Sequence, residues 1–129
     1  MASLAVDRSG FTLVEIIAVL IILSVLASMA IPRYISLEEG AKQRALEAGI
    51  AELNGRESLT WSNVKISVTG WEDDASLWLL IRDNLNLEGK YNWENGPTET
   101  GGILSFDQSP PLALTRNEST FDHPATWTK

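Results

Sequence analysis

The chain has 129 residues, enough for one small domain and a separate N-terminal segment. Its net charge is −7, and residues 54–129 carry eleven acidic against six basic side chains, so this surface repels phosphate and disfavours nucleic acid as a partner. The sequence has no cysteine, which excludes disulfides, thiol nucleophiles and thiolate metal sites.

The first predicted element is an apolar run from Phe11 to Ile31, in which Glu15 is the one charged residue. A helix of this length spans about 31 Å, close to the roughly 30 Å thickness of the hydrocarbon core of a bilayer. Its apolar residues lie all round the helix, which is typical of a membrane span or of a helix wholly buried in protein. A charged side chain at bilayer depth costs about 3 kcal/mol, so Glu15 indicates a function.

A secretory signal peptide is the alternative interpretation of this run. Residues 28–30 form a small-x-small motif, and cleavage after Ala30 would release a soluble secreted binding domain. However, the polar leader is only weakly basic, because Asp7 partly offsets Arg8. A plain signal peptide also gains nothing from the carboxylate of Glu15. These two features favour a membrane anchor over a cleaved signal.

The helical pattern continues beyond Pro32. Proline lacks an N–H and clashes with the preceding turn, so we expect a bend or a local opening near residues 28–32. Apolar and charged residues then alternate at near-helical spacing as far as Leu53. The sequence therefore predicts one long helix from Thr12 to about Leu59. Its first half is the span, and its continuation over residues 32–60 is amphipathic and docks onto a globular head.

Residues 61–129 are predicted to form that head. Alternating apolar residues over Asn63–Thr69 predict a strand. A second helix is expected from about Ala75 to Leu85, with Asp73 or Asp74 as its N-terminal cap.

Two further strands are predicted, Lys90–Glu94 and Ile103–Asp107, and the glycine- and proline-rich segment between them favours a hairpin. The proline-containing tail Ser109–Lys129 is predicted to be mostly irregular and pinned by Phe121 or Trp127. The expected fold class is α+β, with a three-stranded antiparallel sheet and a short second helix packed against the long helix.

Catalytic and cofactor patterns give little reason to expect an enzyme. No serine has a nucleophile-elbow pattern, no glycine-rich phosphate loop is present, and His123 is the one imidazole. Glu72, Asp73 and Asp74 offer the oxygen ligands that Ca²⁺ prefers. Three adjacent acids do not easily converge on one ion, however, so calcium is disfavoured there and no cofactor is expected.

Residues 10–15 read GFTLVE and are followed by the apolar run and by Pro32. This pattern resembles the N-terminus of type IV pilins and of type II secretion pseudopilins. The resemblance implies that a prepilin peptidase removes the leader, residues 1–10, by cutting after Gly10, and then N-methylates Phe11. It also implies that residues 11–31 form a transmembrane and assembly helix, and that Pro32 is the helix-bending proline of the family.

The same resemblance implies a role for Glu15. In the family, this carboxylate faces the amino terminus of a neighbouring subunit and sets the axial register of a filament. The residues themselves leave two other arrangements open: a pair with the Phe11 amine of the same chain, or a carboxylate that stays protonated or reaches the membrane interface.

The function implied is that of a structural subunit of a type IV pilus or a type II secretion pseudopilus. Its expected partners are the prepilin peptidase, copies of itself or related pilins, an assembly platform protein and an ATPase. The expected location is the bacterial inner membrane, with one span and the head on the periplasmic side, and then the filament.

Overall fold

The computed structural model describes residues 10–129. The chain divides between Glu38 and Glu39 into two compact units. The N-terminal unit is helical from Leu13 onward, and the C-terminal unit is the head, built from the second part of the same helix, a short helix and one sheet. The α+β fold with a long N-terminal helix is therefore confirmed.

The first helix, α1, spans Leu13–Lys65 and contains Pro32. The helical conformation continues through the proline, so Pro32 does not end the helix. The predicted end near Leu59 was too early, because tertiary contacts hold the last turns: the indole N–H of Trp61 donates to the carbonyl of Thr120, and Lys65 Nζ donates to the carbonyl of Phe121.

The strand predicted over Asn63–Thr69 is wrong. Its first three residues belong to α1, and the next four form a turn. The alternation there does not mark a half-buried strand, since Ile66 and Val68 are exposed and pair with no neighbour in the sheet. Tertiary contacts at the helix end therefore decided the conformation against a local pattern.

The second helix, α2, spans Asp74–Ile81, and a 3₁₀ turn continues it over Arg82–Asn84. Asp73 is the N-cap, as predicted, and its side chain accepts a hydrogen bond from the N–H of Ser76 at 2.7 Å. The predicted helix from Ala75 to Leu85 is thus confirmed in place and kind, with a tighter last turn.

The sheet has four antiparallel strands in the order β1-β2-β3-β4. The strands are β1 (Tyr91–Thr98), β2 (Gly101–Phe106), β3 (Leu112–Asn117) and β4 (Thr126–Thr128). The predicted hairpin is confirmed as β1-β2. The prediction of three strands and an irregular tail is wrong, because the tail contributes β3 and β4. Pro110 and Pro111 precede β3 and Pro124 precedes β4, so none of the three prolines of that region interrupts a ladder.

The core of the head lies between the C-terminal half of α1, the α2 region and the inner face of the sheet. Trp127 is buried in it and anchors β4, whereas Phe121 is exposed. Of the two residues expected to pin the tail, Trp127 therefore does so from the core. The buried cluster comprises Leu46, Leu53, Ile81, Leu85, Leu104, Leu114 and Trp127.

Candidate functional site

The predicted cleavage point lies just outside α1. Gly10 and Phe11 have no regular secondary structure, and both are exposed. A Cβ added at Gly10 would meet nothing within 4 Å. The peptide bond between Gly10 and Phe11 therefore lies in open, non-helical backbone, which is the form in which an enzyme approaches a chain most easily.

Glu15 forms a capping box with Thr12. The N–H of Thr12 donates to Glu15 Oε2 at 3.0 Å, and the N–H of Glu15 donates to Thr12 Oγ1 at 3.2 Å. The carbonyl of Thr12 accepts the first helical hydrogen bond, from the N–H of Ile16. Two N–H groups that the helix leaves unpaired are thus satisfied reciprocally. The Thr-x-x-Glu spacing signals this box, and sequence reasoning overlooked it.

Among the described residues, 10–129, none covers the apolar run. Every residue from Gly10 to Glu39 is exposed, including all the large aliphatic side chains of the run. By length and composition α1 is able to cross a membrane, and none of its most apolar stretch is buried. So large an apolar surface requires lipid or other protein chains around it.

The head contains a buried ionic network that the sequence did not predict. Arg116, on β3, binds two carboxylates. Its Nε donates to Glu57 Oε1 at 2.6 Å, and its Nη1 donates to Asp74 Oδ2 at 2.8 Å. The side chains of Arg116 and Glu57 are fully buried, and that of Asp74 is almost so. The network joins α1, the start of α2 and the sheet.

All five N–H groups of the Arg116 guanidinium have acceptors. Nη2 reaches both carboxylates, and the second N–H of Nη1 donates to the carbonyl of Glu99. The ring of Trp78 lies 5.1 Å from the guanidinium carbon. In the described part of the chain, no buried side-chain nitrogen or oxygen lacks a partner. A buried charge set of this kind is stable only when its hydrogen bonds are complete, as they are here.

Each carboxylate has a further neutral partner. Glu57 Oε1 accepts from the indole N–H of Trp127 at 3.0 Å. Asp74 Oδ1 accepts from the backbone N–H and the hydroxyl of Ser119 at 2.8 and 2.7 Å. The loop after β3, through Ser119, and β4, through Trp127, are therefore fixed to the same network.

The network shifts the pKa of Asp74 and of Arg116 toward the charged form of each. Burial alone would raise the pKa of Asp74, but the hydrogen bonds from Arg116 and Ser119 outweigh burial and lower it. Burial would likewise lower the pKa of Arg116, but its bonds to Glu57 and Asp74 outweigh burial and raise it. Asp74 and Arg116 are thus charged in the folded head at neutral pH.

Two of the three acidic residues considered as calcium ligands, residues 72–74, make other contacts in the structure. Asp73 caps α2, Asp74 is bound to Arg116, and Glu72 is exposed. Within residues 10–129, no three acidic or histidine side chains are grouped as metal ligands would be. Asp73 and Asp74 therefore stabilise the head locally.

Comparison with known proteins agrees with the N-terminal geometry. Residues 7–31 match the family model described as the prokaryotic N-terminal methylation motif. This motif is the hallmark of the type IV pilin and pseudopilin family. No curated protein and no solved structure matches the chain. The chain thus carries the pilin-type methylation motif on a pilin-like α+β fold.

Proposed function

We propose that the protein is a structural subunit of a type IV pilus or a type II secretion pseudopilus. A prepilin peptidase cuts it after Gly10 and N-methylates Phe11, and the mature chain polymerises through α1. The single observation that carries the proposal is the methylation motif at residues 7–31, which lies on an exposed apolar helix with open backbone at the cleavage point. The motif supports a pilin-type structural protein that is a substrate of its peptidase and not itself an enzyme.

Glu15 is the proposed assembly residue. Before cleavage its carboxylate accepts a hydrogen bond from the N–H of Thr12. Cleavage after Gly10 creates an ammonium group at Phe11, and both charges are costly in an apolar medium. When α1 helices pack together, Glu15 of one copy neutralises the amino terminus of a neighbour. A buried polar pair of this kind fixes axial register, since a shifted helix leaves both charges unpaired.

The remaining partners follow from the same proposal. The span holds the precursor in the inner membrane with the head on the periplasmic side, and Pro32 marks the point where the membrane segment gives way to the head. Assembly by contacts between different surfaces of successive copies produces an open filament. An assembly platform protein and an ATPase supply the work of polymerisation, and no cofactor is required of this chain.

The test is the mass and N-terminal sequence of the protein isolated from its native host. A mature chain that begins with N-methylated Phe11 supports the proposal. Gly10→Glu is expected to leave the precursor uncut, and Gly40→Glu, the matched change elsewhere on the chain, is expected to be cut normally. A chain that begins at Ile31 would overturn the proposal in favour of a secreted domain released after Ala30.

The role of Glu15 needs a second measurement. Glu15→Gln removes the charge, and Glu39→Gln makes the same change at an exposed position of the same helix. We expect Glu15→Gln to be processed but to form few filaments in electron micrographs, and Glu39→Gln to assemble like the unmodified protein. Equal assembly of both variants would contradict the proposed role of Glu15.

A further inference from the structure

An open groove of about 460 Å³ lies between the last turns of α1 and α2. Val64, Leu77 and Leu80 supply its apolar lining, and Leu80 is exposed there. The two charged side chains that line it, Glu72 and Asp73, are both acidic. The groove therefore combines an apolar lining with an acidic rim.

The apolar surface extends onto the loop that follows α1. Ile66 and Val68 are 84% and 106% exposed, and the intervening Ser67 lines the groove. Within the described head, residues 39–129, none of the exposed large apolar side chains lies on a strand: they are Leu59, Ile66, Val68, Leu79 and Leu80, on α1, α2 or the loop after α1, and Phe121, in the loop between β3 and β4. Three of these six side chains, Ile66, Val68 and Leu80, lie in the groove or on the loop that follows α1, so half of the exposed large apolar side chains of the described head are gathered there, as expected of a binding surface.

A second surface, of opposite charge but also partly apolar, lies on α1 just beyond the predicted span. Leu37 lies three residues after Tyr34 and four after Arg33, so its side chain neighbours both of theirs on the helix surface. Tyr34 and Leu37 are 70% and 71% exposed. Arg33 has no carboxylate three or four residues away along the helix. This turn therefore presents two large apolar side chains and one cation.

We infer that the groove of one copy binds residues 33–37 of a neighbouring copy. Arg33 faces the acidic rim at Glu72 and Asp73, while Tyr34 and Leu37 cover the apolar lining. The inference rests on the proposed function and specifies one of the contacts by which the filament is held together.

Two properties of the surfaces favour a second copy as the occupant. Their charges are complementary, and the apolar areas on both need cover outside the membrane. Complementary charges at the rim of a contact mainly set orientation and partner choice, whereas the apolar contact supplies most of the affinity. Because the groove and the turn are different surfaces, each added copy leaves one of each unoccupied, and the contact propagates as a filament requires.

Crosslinking tests the contact directly, because the chain has no cysteine of its own. One copy carries Leu37→Cys and a second carries Leu80→Cys, and both are produced together in the native host and mildly oxidised. We expect a disulfide-linked dimer when both variants are present and none with either alone. Leu59→Cys is the control for Leu80→Cys, since Leu59 is also exposed but does not line the groove.

Charge reversal tests the pairing of the rim. Glu72→Arg and Arg33→Glu should each lower the crosslinked fraction several-fold, and the two reversals together should restore it. Glu72 is used because Asp73 caps α2. Glu88→Arg and Arg44→Glu are matched controls at exposed positions outside the groove, and we expect them to leave the crosslinked fraction unchanged.

The mass of the mature chain is measured in the same samples, which separates two kinds of failure. If the chain is cut at Gly10 and filaments form, but Leu80→Cys crosslinks no better than Leu59→Cys, the groove contact is wrong and the proposed function stands. If the chain is not cut at Gly10, the proposed function fails and the inference fails with it.

Discussion

Arg116 and Glu57 are separated by 59 positions in the chain, yet Arg116 Nε lies 2.6 Å from Glu57 Oε1. This pair ties the long helix to the third strand, and Asp74 extends the tie to the second helix. Because the three side chains are buried and mutually satisfied, removal of one leaves the others without compensation. The pair therefore decides how the sheet is held against α1.

Replacement of Arg116 should strongly destabilise the head. We expect Arg116→Ala to lower the free energy of unfolding by about 3 to 5 kcal/mol, because two carboxylates would remain buried without their cation. Arg116→Lys should recover little of the loss, since an ammonium group does not reproduce the planar fork of guanidinium. Urea unfolding of the detergent-solubilised chain, followed by tryptophan fluorescence, measures both. Arg82→Ala, at an exposed position, should have little effect; a comparable loss in that variant would contradict the special role of Arg116.

The stability of the head should fall in acid. The folded-state pKa of Asp74 is below its ordinary value, so the stability it contributes is present above the ordinary aspartate pKa of about 3.9 and is lost as the pH falls through the lowered folded-state pKa. Asp73 has a lowered pKa as well, because the side chain and N–H of Ser76 hydrogen-bond to it. Asp73→Asn keeps a good N-cap and removes that titration, so it is the suitable background.

On that background, the free energy of unfolding should decrease between about pH 5 and pH 2. Adding Asp74→Asn should lower stability at neutral pH and flatten the acid dependence. The measurement is urea unfolding at a series of pH values. An unchanged slope in the double variant would show that the titration of Asp74 does not contribute.

Alanine at Gly49 should not stabilise α1, although alanine is the better helix former. A Cβ there would lie 2.7 Å from Tyr91 Cε1, and the ring has little freedom because the Tyr91 hydroxyl donates to the carbonyl of Ala45 at 2.6 Å. Overpacking costs about 1 to 3 kcal/mol, against a gain of about 1 kcal/mol from replacing a helical glycine with alanine.

The net effect of Gly49→Ala should therefore be zero to moderately destabilising. Gly55→Ala is the control, because nothing lies within 4 Å of the added methyl and only the helical gain applies. We expect thermal unfolding of Gly55→Ala at a higher temperature than that of Gly49→Ala. The reverse order would show that the contact with Tyr91 relaxes freely.

The side-chain amide of Asn54 hydrogen-bonds to the backbone of the edge strand β4. Its Oδ1 accepts from the N–H of Trp127 at 2.6 Å, and its Nδ2 donates to the carbonyl of the same residue at 3.2 Å. The side-chain amide thus takes the place of a further strand beside β4. Asn54→Ala should cost about 1 to 3 kcal/mol, because both backbone groups lose their partners.

Hydrogen exchange tests the contact at one atom. In Asn54→Ala the amide of Trp127 should exchange faster than in the unmodified chain. Asn63→Ala makes the same substitution at an exposed position near the end of α1 and should leave that amide protected. Equal protection in the two variants would mean that Asn54 does not hold β4.

Sequence patterns correctly predicted the elements that are stabilised by residues close together in the chain. The uniform apolar run predicted the long helix, the two aspartates before Ala75 placed the cap of α2 at Asp73 or Asp74, and the turn residues between Trp93 and Ile103 predicted the hairpin. Each of these features is stabilised by groups close in sequence. The capping box of Thr12 and Glu15 is equally local, and its Thr-x-x-Glu spacing would have predicted it.

The wrong predictions concern segments whose conformation depends on contacts with residues far away in the chain. The apolar alternation around Ile66 indicated a strand, but no partner strand pairs with it. Conversely, β3 places an arginine on its inner face, and β4 has three residues, so neither resembles an ordinary strand in sequence. Both exist because Glu57, Asp74 and Asn54 supply partners from elements far away in the chain.

The sequence by itself determined the membrane-length helix, the methylation motif and the absence of thiol chemistry, since each depends on residue types at fixed short spacing. Only the tertiary structure decided the four-stranded sheet, the anchoring of the tail and the groove beside Leu80. These three features depend on contacts between residues that are far apart in the chain. In particular, a buried charge such as that of Arg116 is tolerated only when the complete fold brings its carboxylates within hydrogen-bonding distance.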